Sequence, residues 1–429
     1  MMGFWGLVNG GIGPIVPVKG LVMMADVDFS NVPSTNAWFE RQNVQVRCTI
    51  AGRAALRVLA NICADQTMDS ESLALACLRA NITALGRGNA QTTDVDWRSV
   101  VHAAGEFALE AADFAASAFR SGDAASSARS AARCAAFASD YADFSARSVQ
   151  LAADSANIAD FAAFPPLRSG KGRPFTANLT SDSAAKSDAD SLAETPHLFP
   201  FPQKPVWGNI EVPAAIAINH QSFLGFLASD PKWEFWHDWY LAMWDGTFTD
   251  WDLALEVIKI EDAVRKAGAD AVALEIEIRR AKLDVKNAAQ SVEKYLKKTP
   301  LGFSEGASPM MGHNNPPPDF EEVPVSYAEM QRLVQIVQIV QTQLQTTTPN
   351  AQVLETVTKE AEAIQEKSVG WLAKGLGLSR DEFFKTFGKW VALAAVAKLS
   401  GAAQWLAGAM EQLYPLIQAL WTLLRLLAT

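Results

Sequence analysis

The chain has 429 residues, which is long enough for two or three folded modules, and 49% of them are hydrophobic while 20% are charged. This composition excludes an intrinsically disordered protein. The formal net charge of -10 disfavours a general nucleic-acid-binding protein, although the last segment, residues 371–429, is net positive with 6 basic and 3 acidic residues.

The first 35 residues are predicted to be a disordered leader. Their apolar stretch has no basic region before it and is interrupted by Gly and Pro, which argues against a secretory signal. Translation from Met23 or Met24 is an equally good interpretation. The four cysteines lack metal-binding or redox spacing, so we interpret them as small buried side chains of a protein in the reducing cytoplasm.

Residues 36–164 are predicted to form an alanine-rich helical domain. Asp69 and Ser70 supply capping chemistry for a helix that we expect to end at Gly86. Val101–Ala163 then holds 24 alanines in 63 residues, with larger side chains at intervals of seven. This spacing predicts a tightly packed antiparallel helical hairpin. A cofactor-binding site is disfavoured, because no ligand-type residue repeats with the larger side chains.

Residues 165–206 are rich in Pro, Ser, Asp and Lys and show no hydrophobic period, so we predict a flexible linker. A second predicted linker covers residues 299–325 and contains the motif GHNNPPP at 312–318. Its prolines favour an extended backbone, which suggests a docking tether.

Residues 207–298 form the predicted tryptophan-rich domain. The stretch WEFWHDWYLAMWDGTFTDW, residues 233–251, predicts a helix that starts at Asp230 and ends at Gly246, followed by a helix capped by Thr249 or Asp250. Helical spacing predicts a structural aromatic core made of Trp236, Trp239, Trp244 and Trp251. The alternative is a stacking platform for bases or sugars. The carboxylates around it disfavour nucleic acid.

A long amphipathic helix is predicted from Asp270 to Lys298, with an exposed ionic face. Four of its apolar side chains are expected to turn inward: Leu274, Ile278, Leu283 and Val285.

Three features resemble a group of uncharacterised bacterial proteins of the alphaproteobacterial type. They are the alanine-rich helices, the motif FWHDWYLAMWDG that follows PVW at 205–207, and the linker MGHNNPPPD. The resemblance covers roughly residues 100–320 and implies a bacterial cytosolic setting, with a shared front end joined to different C-terminal modules. It implies no activity.

No catalytic, cofactor or metal site is predicted. The five histidines never lie three or four residues apart, and the sequence contains no phosphate-binding loop and no Cys/His cluster. Two pairs are candidates for acid–base chemistry, His237 with Asp238 and Glu275 with Glu277, but we interpret both as solvated surface.

Residues 326–429 are predicted to be a C-terminal helical module. The run VQIVQIVQ at 334–341 is compatible with a strand, but a capping box at Ser326 favours a helix. Leu399–Leu424 is 26 residues long and contains Glu411 and Pro415, so it is a marginal candidate for a membrane span. We instead expect two shorter helices, broken near Met410–Gln412.

The last of these helices has one apolar face, predicted to contact a membrane or a second copy of the chain: Leu413, Leu416, Ile417, Leu420, Leu424 and Leu427. A basic flank is predicted to meet anionic lipid: Lys385, Lys389 and Lys398. The alternative is that the apolar face closes a soluble helical bundle or an oligomer.

These observations predict an all-α, multi-module protein built from helical bundles joined by Pro-rich linkers. We expect it to lack catalysis and to associate with membrane lipid through its C-terminal module, as a membrane-perturbing effector of a defence system. The protein is predicted to be cytoplasmic and to associate with the inner membrane as a peripheral or integral protein. The alternatives are a soluble homo-oligomeric scaffold or phage-related structural protein, and an enzyme whose site these patterns do not reveal.

Overall fold

The computed structural model describes residues 32–64, 70–89, 97, 149, 151–152, 183–190, 204–297, 327–346, 348–375 and 401–428. Within these ranges the chain forms helices and turns and no strand, which confirms the predicted all-α fold. The chain divides into two compact units, Met1–Ala269 and Asp270–Thr429. The predicted leader up to residue 31, nearly all of the alanine-rich hairpin, the linker at 299–325 and the basic flank of Lys385, Lys389 and Lys398 lie outside the described residues.

Within the described residues, unit 1 is built from α-helices and turns. Two 3₁₀ turns, Leu59–Ala64 and Pro231–Trp233, accompany them, and residues 183–190 are also helical. The α-helices are α1 (Val32–Glu40), α2 (Val44–Val58), α3 (Ser70–Asn89), α4 (Ala214–Leu227), α5 (Glu234–Asp245), α6 (Trp251–Ile258) and α7 (Asp262–Lys266).

Side-chain caps begin three of the elements in unit 1. The carboxamide of Asn43 accepts a hydrogen bond from the Val46 amide at the start of α2, at 2.9 Å. Asp230 accepts from the Lys232 amide before the 3₁₀ turn, and Asp250 accepts from the Leu253 amide at the start of α6. The predicted helix starts at Asp230 and Asp250 are therefore confirmed, and the satisfied amide groups explain why the chain turns into a helix at these residues.

The centre of unit 1 is made by α2 and α3, which pack against each other. Every residue from Cys48 to Val58 and from Leu73 to Gly86 is buried, so neither helix has a solvent-facing side over these stretches. Helix α3 was predicted to end at Gly86, but it continues to Asn89. A Cβ at Gly86 would lie 2.4 Å from the Cδ1 atom of Ile258. This glycine therefore allows α6 to approach α3 closely and does not end the helix.

Unit 2 contains α8 (Ala269–Leu296), α9 (Tyr327–Leu344), α10 (Ala351–Gly375) and α11 (Gly401–Leu427). All four helices contribute buried apolar side chains to one core, including Val285 from α8, Ile336 from α9, Leu354 from α10 and Leu416 from α11. The run VQIVQIVQ thus belongs to a helix, as its capping box and helical spacing predict. Within the described residues, no helix combines the length and the apolar character that a bilayer crossing requires.

The buried side of α8 differs from the predicted one. Val285 is fully buried, but Ile278 and Leu283 are only partly buried and Leu274 is 40% exposed. The deeply buried residues include Val272, Ile276, Ala281, Ala289 and Val292. The spacing of the large apolar residues alone misplaced this face, because small side chains such as Ala281 and Ala289 form much of the contact.

Helix α11 is continuous, so the predicted break near Met410–Gln412 is wrong. Pro415 lies inside the helix, where it removes one backbone donor. Its side chain and that of Tyr414 lie on the exposed side of the helix, where water can satisfy the carbonyl that loses its partner. The buried side of α11 therefore packs without interruption.

The compact units divide the chain differently from the predicted domain map. Helices α4 to α6, which carry the tryptophan-rich stretch, belong to the same unit as α2 and α3, while α8 packs with the C-terminal helices. Residues 183–190, inside the predicted linker at 165–206, form a helical segment with buried Ala184, Ala185 and Asp188. These three side chains hold part of that segment against the core.

Candidate functional site

The tryptophans of residues 233–251 occupy two kinds of position. Trp236 and Trp239 are only 2% and 1% exposed, and their rings meet edge to face with centroids 6.1 Å apart. Trp244 and Trp251 are partly exposed. Trp236 and Trp239 therefore fill the interior of unit 1, whereas Trp244 and Trp251 cover its margin.

Trp244 belongs to an aromatic stack that joins α4 to α5. Its ring lies parallel to the imidazole of His220, with centroids 4.0 Å apart. The Nδ1 atom of His220 and the hydroxyl of Tyr240 are hydrogen bonded at 3.0 Å. Burial lowers the pKa of His220 below its ordinary value, and the nearby carboxylate of Asp245 only partly opposes this effect. The imidazole is therefore a neutral packing group at pH 7.

The residues Lys204–Trp207, which we call the clamped turn, meet the C-terminal end of α5. The Val206 amide donates to the carbonyl of Trp244 at 2.9 Å, and the rings of Trp207 and Trp244 meet with centroids 6.4 Å apart. The PVW motif and the tryptophan-rich motif are thus parts of one contact, although Val206 and Trp244 lie 38 positions apart in the sequence.

Gly246 makes the close approach between α5 and the clamped turn possible. It ends α5 in the left-handed conformation at φ 71°, and the next amide, from Thr247, reaches back to the carbonyl of Ala242 at 2.8 Å. A Cβ at Gly246 would lie 2.2 Å from the carbonyl carbon of Lys204. The predicted end of the helix at this glycine is confirmed, and the backbone contact adds a second reason for glycine here.

We expect Gly246→Ala to lower the free energy of unfolding of unit 1 by about 2 to 3 kcal/mol, because left-handed strain and a backbone collision add together. Gly208→Ala is the matched control, since Gly208 also has a positive φ of 57° but the nearest atom to its Cβ position is 3.8 Å away. That control should cost only about 1 kcal/mol. Chemical denaturation of both variants measures the difference, and equal losses would contradict the close approach.

Two arginines of α2 hold the clamped turn from the other side. Arg53 donates from Nη1 to the carbonyl of Lys204 at 3.0 Å and from Nη2 to the carbonyl of Pro205 at 2.6 Å. Its Nε donates to the carboxylate of Asp188 at 3.0 Å. Arg53 thus ties α2 both to the clamped turn and to residues 183–190.

Arg57, one helical turn further along α2, repeats this pattern. Its Nε donates to the carbonyl of Val206 at 3.0 Å, and its Nη2 donates to the carboxylate of Asp188 and to the carbonyl of Ala184. The guanidinium carbon lies 5.8 Å from the ring centroid of Trp207. We call Arg53, Arg57 and Asp188 the arginine clamp.

The arginine clamp carries two positive charges and one negative charge in the interior of unit 1. The side chains of Arg53, Arg57 and Asp188 are 2%, 1% and 7% exposed. Burial lowers the pKa of Arg57, while Asp188 raises it and Arg53 lowers it further. The carbonyls of the clamped turn supply the remaining negative partial charge, so the clamp depends on the turn being in place.

The arginine clamp was not predicted from the sequence, although the sequence of α2 carries a signal for it. In the stretch AGRAALRVLA, Arg53 and Arg57 lie four residues apart within an otherwise apolar run, so they share one helix face. Such a pair inside a buried helix needs buried acceptors. The acceptors come from residues more than 120 positions away, and no local pattern identifies them.

The apolar residues predicted to contact membrane or a second copy lie on α11. We call Leu413, Leu416, Ile417 and Leu420 the leucine face; each is at most 2% exposed and packs in the core of unit 2. Leu424 and Leu427, from the same predicted set, are partly buried against this core. Helices α8, α9 and α10 therefore cover the surface that the sequence assigned to an external contact.

Two contacts of α11 are more specific. The Nε1 atom of Trp421 donates to the carboxylate of Glu362 on α10 at 2.8 Å. A Cβ atom at Gly408 would lie only 2.1 Å from the hydroxyl oxygen of Tyr295 on α8. Burial raises the pKa of this tyrosine, and the negative charge of Glu411 adds to the effect.

The described residues contain no group of three or more His, Cys, Asp and Glu side chains placed to hold a metal ion. His237 and Asp238 are hydrogen bonded at 3.0 Å, and their side chains are 28% and 71% exposed, as expected of a surface pair. Glu277 pairs with Arg280 on the exposed side of α8, whereas Glu275, predicted as solvated surface, pairs with Arg279, and these two side chains are only 24% and 17% exposed. No protein family model, curated protein or solved structure matches this chain.

Proposed function

We propose that the chain is a non-enzymatic helical interaction protein that acts as a scaffold. In this proposal, unit 1 is a rigid platform held by its aromatic core and arginine clamp, and unit 2 is a helical module closed around its own core. Binding of other proteins, or of further copies of the chain, then takes place on the outer surfaces of these helices.

The burial of the leucine face supports this proposal best. Leu416 and Leu420 are fully buried within unit 2, so this side of α11 is already occupied by the other helices of the same unit. In unit 1, the ionisable groups with shifted pKa values, Arg57, Arg79 and His220, each contact other residues of the same unit. Perturbed groups at a catalytic site would instead face a cleft.

Separation of a cell lysate into membrane and aqueous fractions tests the scaffold. We expect the intact protein in the aqueous fraction, and analytical ultracentrifugation should give a defined mass above that of one chain. Recovery of the protein with the membranes, or a monomer without a bound partner, would contradict the scaffold proposal.

A membrane-perturbing effector is the second candidate, and the composition of α11 favours it. This helix of 27 residues contains only Glu411 and Arg425 as charged residues. Its exposed side carries Tyr414 and its partly buried side carries Trp421, aromatic residues that favour the bilayer interface. This function requires α11 to leave the core of unit 2 and to lie on the lipid surface as an amphipathic helix.

Release of dye from anionic vesicles tests the second candidate. If α11 acts on lipid, the wild-type protein should release dye, and Thr422→Asp should keep this activity because Thr422 lies on the exposed side of α11. Leu416→Asp should abolish it, since a carboxylate on the leucine face opposes entry into hydrocarbon. Absence of dye release by the wild-type protein would exclude this candidate.

A further inference from the structure

The outer surface of α4 in unit 1 carries no charge. Among the α-helices of the described residues, α4 alone contains no Asp, Glu, Lys or Arg. Its histidine, His220, turns inward and is 7% exposed. The water-facing side of a helix usually carries charged side chains. The outer side of α4 therefore has the composition of a surface that makes contact with another molecule.

The exposed residues of α4 recur at steps of three and four, so they lie on one side of the helix. We call them the α4 face: Ala214, Ala217, Ile218, Gln221, Ser222 and Gly225. Ile218 is 56% exposed, the largest value for a large apolar side chain among the described residues. An isolated exposed isoleucine needs no explanation, but here alanines and uncharged side chains extend the apolar area around it.

Gly225 makes a dent in the α4 face. Contacts within the chain account for other helical glycines, because a Cβ would lie less than 3 Å from a neighbouring atom at Gly52, Gly86, Gly88 and Gly408. A Cβ at Gly225 would meet no atom within 4 Å. Glycine is unfavourable inside a helix compared with alanine. Packing within the chain therefore does not explain this glycine, whereas the close approach of a second helix from outside does.

The α4 face is complementary to itself. Ile218 lies three residues before Gln221, and Gly225 lies three residues after Ser222. A two-fold axis between Gln221 and Ser222 of two antiparallel α4 helices thus places each Ile218 over the Gly225 of the other copy. The Ser222 hydroxyl donates to the carbonyl of Ile218 at 3.2 Å, so its oxygen can accept from the Gln221 amide of the other copy.

We propose that the α4 face binds the α4 face of a second copy of this chain, in the antiparallel arrangement that seats Ile218 on Gly225. The inference rests on the proposed scaffold function, in which further copies bind on outer helix surfaces. Because α4 is uncharged, the pairing brings no like charges together. A parallel pair would instead place Ile218 against Ile218 and leave a gap between the two copies of Gly225.

The size of the α4 face determines the strength of this dimer. The helix has 14 residues, so its face is a strip about 21 Å long and about 10 Å wide. Such a strip is well below the roughly 800 Å² that each partner buries in a stable interface. The dimer is therefore weak and forms where the concentration of the chain is high.

Analytical ultracentrifugation of the full chain over a concentration series tests the contact. Gly225→Leu fills the dent and leaves the single chain folded, because a Cβ there meets no atom within 4 Å. We expect it to raise the dissociation constant of the dimer about tenfold or more. Ile218→Asp is a second variant that should weaken the dimer as strongly, because it places an unpaired carboxylate in the contact.

Gly370→Leu is the matched control for the substitution at Gly225. Gly370 lies in α10, and a Cβ there also meets no atom within 4 Å, but its neighbours on the helix include the exposed Glu366 and Lys367. This variant should keep the wild-type dissociation constant. Circular dichroism of all three variants should give the wild-type helix content, which shows that a lost dimer does not result from unfolding.

Disulfide cross-linking tests the antiparallel alignment. Chains with Ile218→Cys mixed with chains with Gly225→Cys should form a mixed disulfide more readily than either variant alone. In the antiparallel pair the two copies of one position lie about 10 Å apart along the helix, too far for a disulfide. The wild-type chain gives the background, and its Cys48 and Cys77 are buried. Cross-linking of Ile218→Cys alone as readily as in the mixture overturns the antiparallel arrangement.

The outcomes separate the α4 contact from the scaffold function. A dimer that is weakened by Gly225→Leu and Ile218→Asp but not by Gly370→Leu supports the proposal. Wild-type association that neither α4 variant weakens overturns the α4 face as the contact and leaves the scaffold in place. A monomer bound to a different protein overturns the second copy as the occupant, and a monomer without any partner overturns the scaffold as well.

Discussion

Trp239→Ala is expected to lower the free energy of unfolding of unit 1 by about 3 to 5 kcal/mol, the usual cost of removing a fully buried large aromatic side chain. The ring is 1% exposed and contacts Trp236 edge to face. Its removal leaves a cavity between helices that are otherwise held by large rigid rings. The surrounding rings cannot easily collapse into this space.

Trp244→Ala is the matched control, since it removes the same atoms from the same helix. Trp244 is partly exposed, so its loss should cost clearly less, even though it also removes the stack on His220. Chemical denaturation followed by circular dichroism measures both variants without relying on tryptophan fluorescence. If Trp239→Ala unfolded at the wild-type midpoint, the aromatic core of unit 1 would not be structural.

Local signals in the sequence predicted the helix limits well where one residue type determines the cap. Asp230, Asp250 and Gly246 act as predicted, because each satisfies backbone groups within a few residues of itself. Gly86 was misassigned for a physical reason. A glycine lacks a side chain, which permits a helix cap at Gly246 and a close contact between helices at Gly86. Only the position of Ile258 in the structure distinguishes these two roles.

Burial was harder to predict than helix limits. Trp236 and Trp239 were expected inside, and Leu274 was also expected inside but is 40% exposed. A tryptophan side chain has enough apolar area to determine which face of its helix is buried. A leucine side chain can instead lie on the exposed face when neighbouring alanines permit closer helix packing. A small residue also permits close packing in unit 2, where Gly408 on α11 leaves room for the side chain of Tyr295 on α8.

Which helices belong to which compact unit depends on contacts between residues that are distant in the sequence. Composition alone does not predict these contacts. The segment at 165–206 has the composition of a linker, yet the carboxylate of Asp188 and the backbone carbonyls of the clamped turn accept hydrogen bonds from the arginines of α2. A solvated linker would contain the same groups. Lys, Asp and Pro in such a segment favour disorder only if nothing binds them. The buried pair Arg53 and Arg57 binds Asp188 and the clamped turn here, and this long-range match holds the described parts of the segment, residues 183–190 and the clamped turn, against α2.

Asp188→Ala tests whether this match holds unit 1 together. The substitution leaves Arg53 and Arg57 buried without their shared carboxylate, and breaking a buried ion pair in this way costs about 3 to 5 kcal/mol. Asp188→Asn keeps the volume and one acceptor oxygen but removes the charge, so we expect an intermediate loss. Asp190→Asn is the matched control, because Asp190 lies in the same helical segment and is only partly buried.

The location of the loss matters as much as its size. Because Asp188 bonds to both arginines and they bond to Lys204, Pro205 and Val206, its removal should loosen the clamped turn together with residues 183–190. Limited proteolysis of the full chain should therefore cut Asp188→Ala near both segments before the wild-type protein is cut there. Wild-type protection of the clamped turn in Asp188→Ala would show that Arg53 and Arg57 hold it through the carbonyls alone, and that the carboxylate contributes only to residues 183–190.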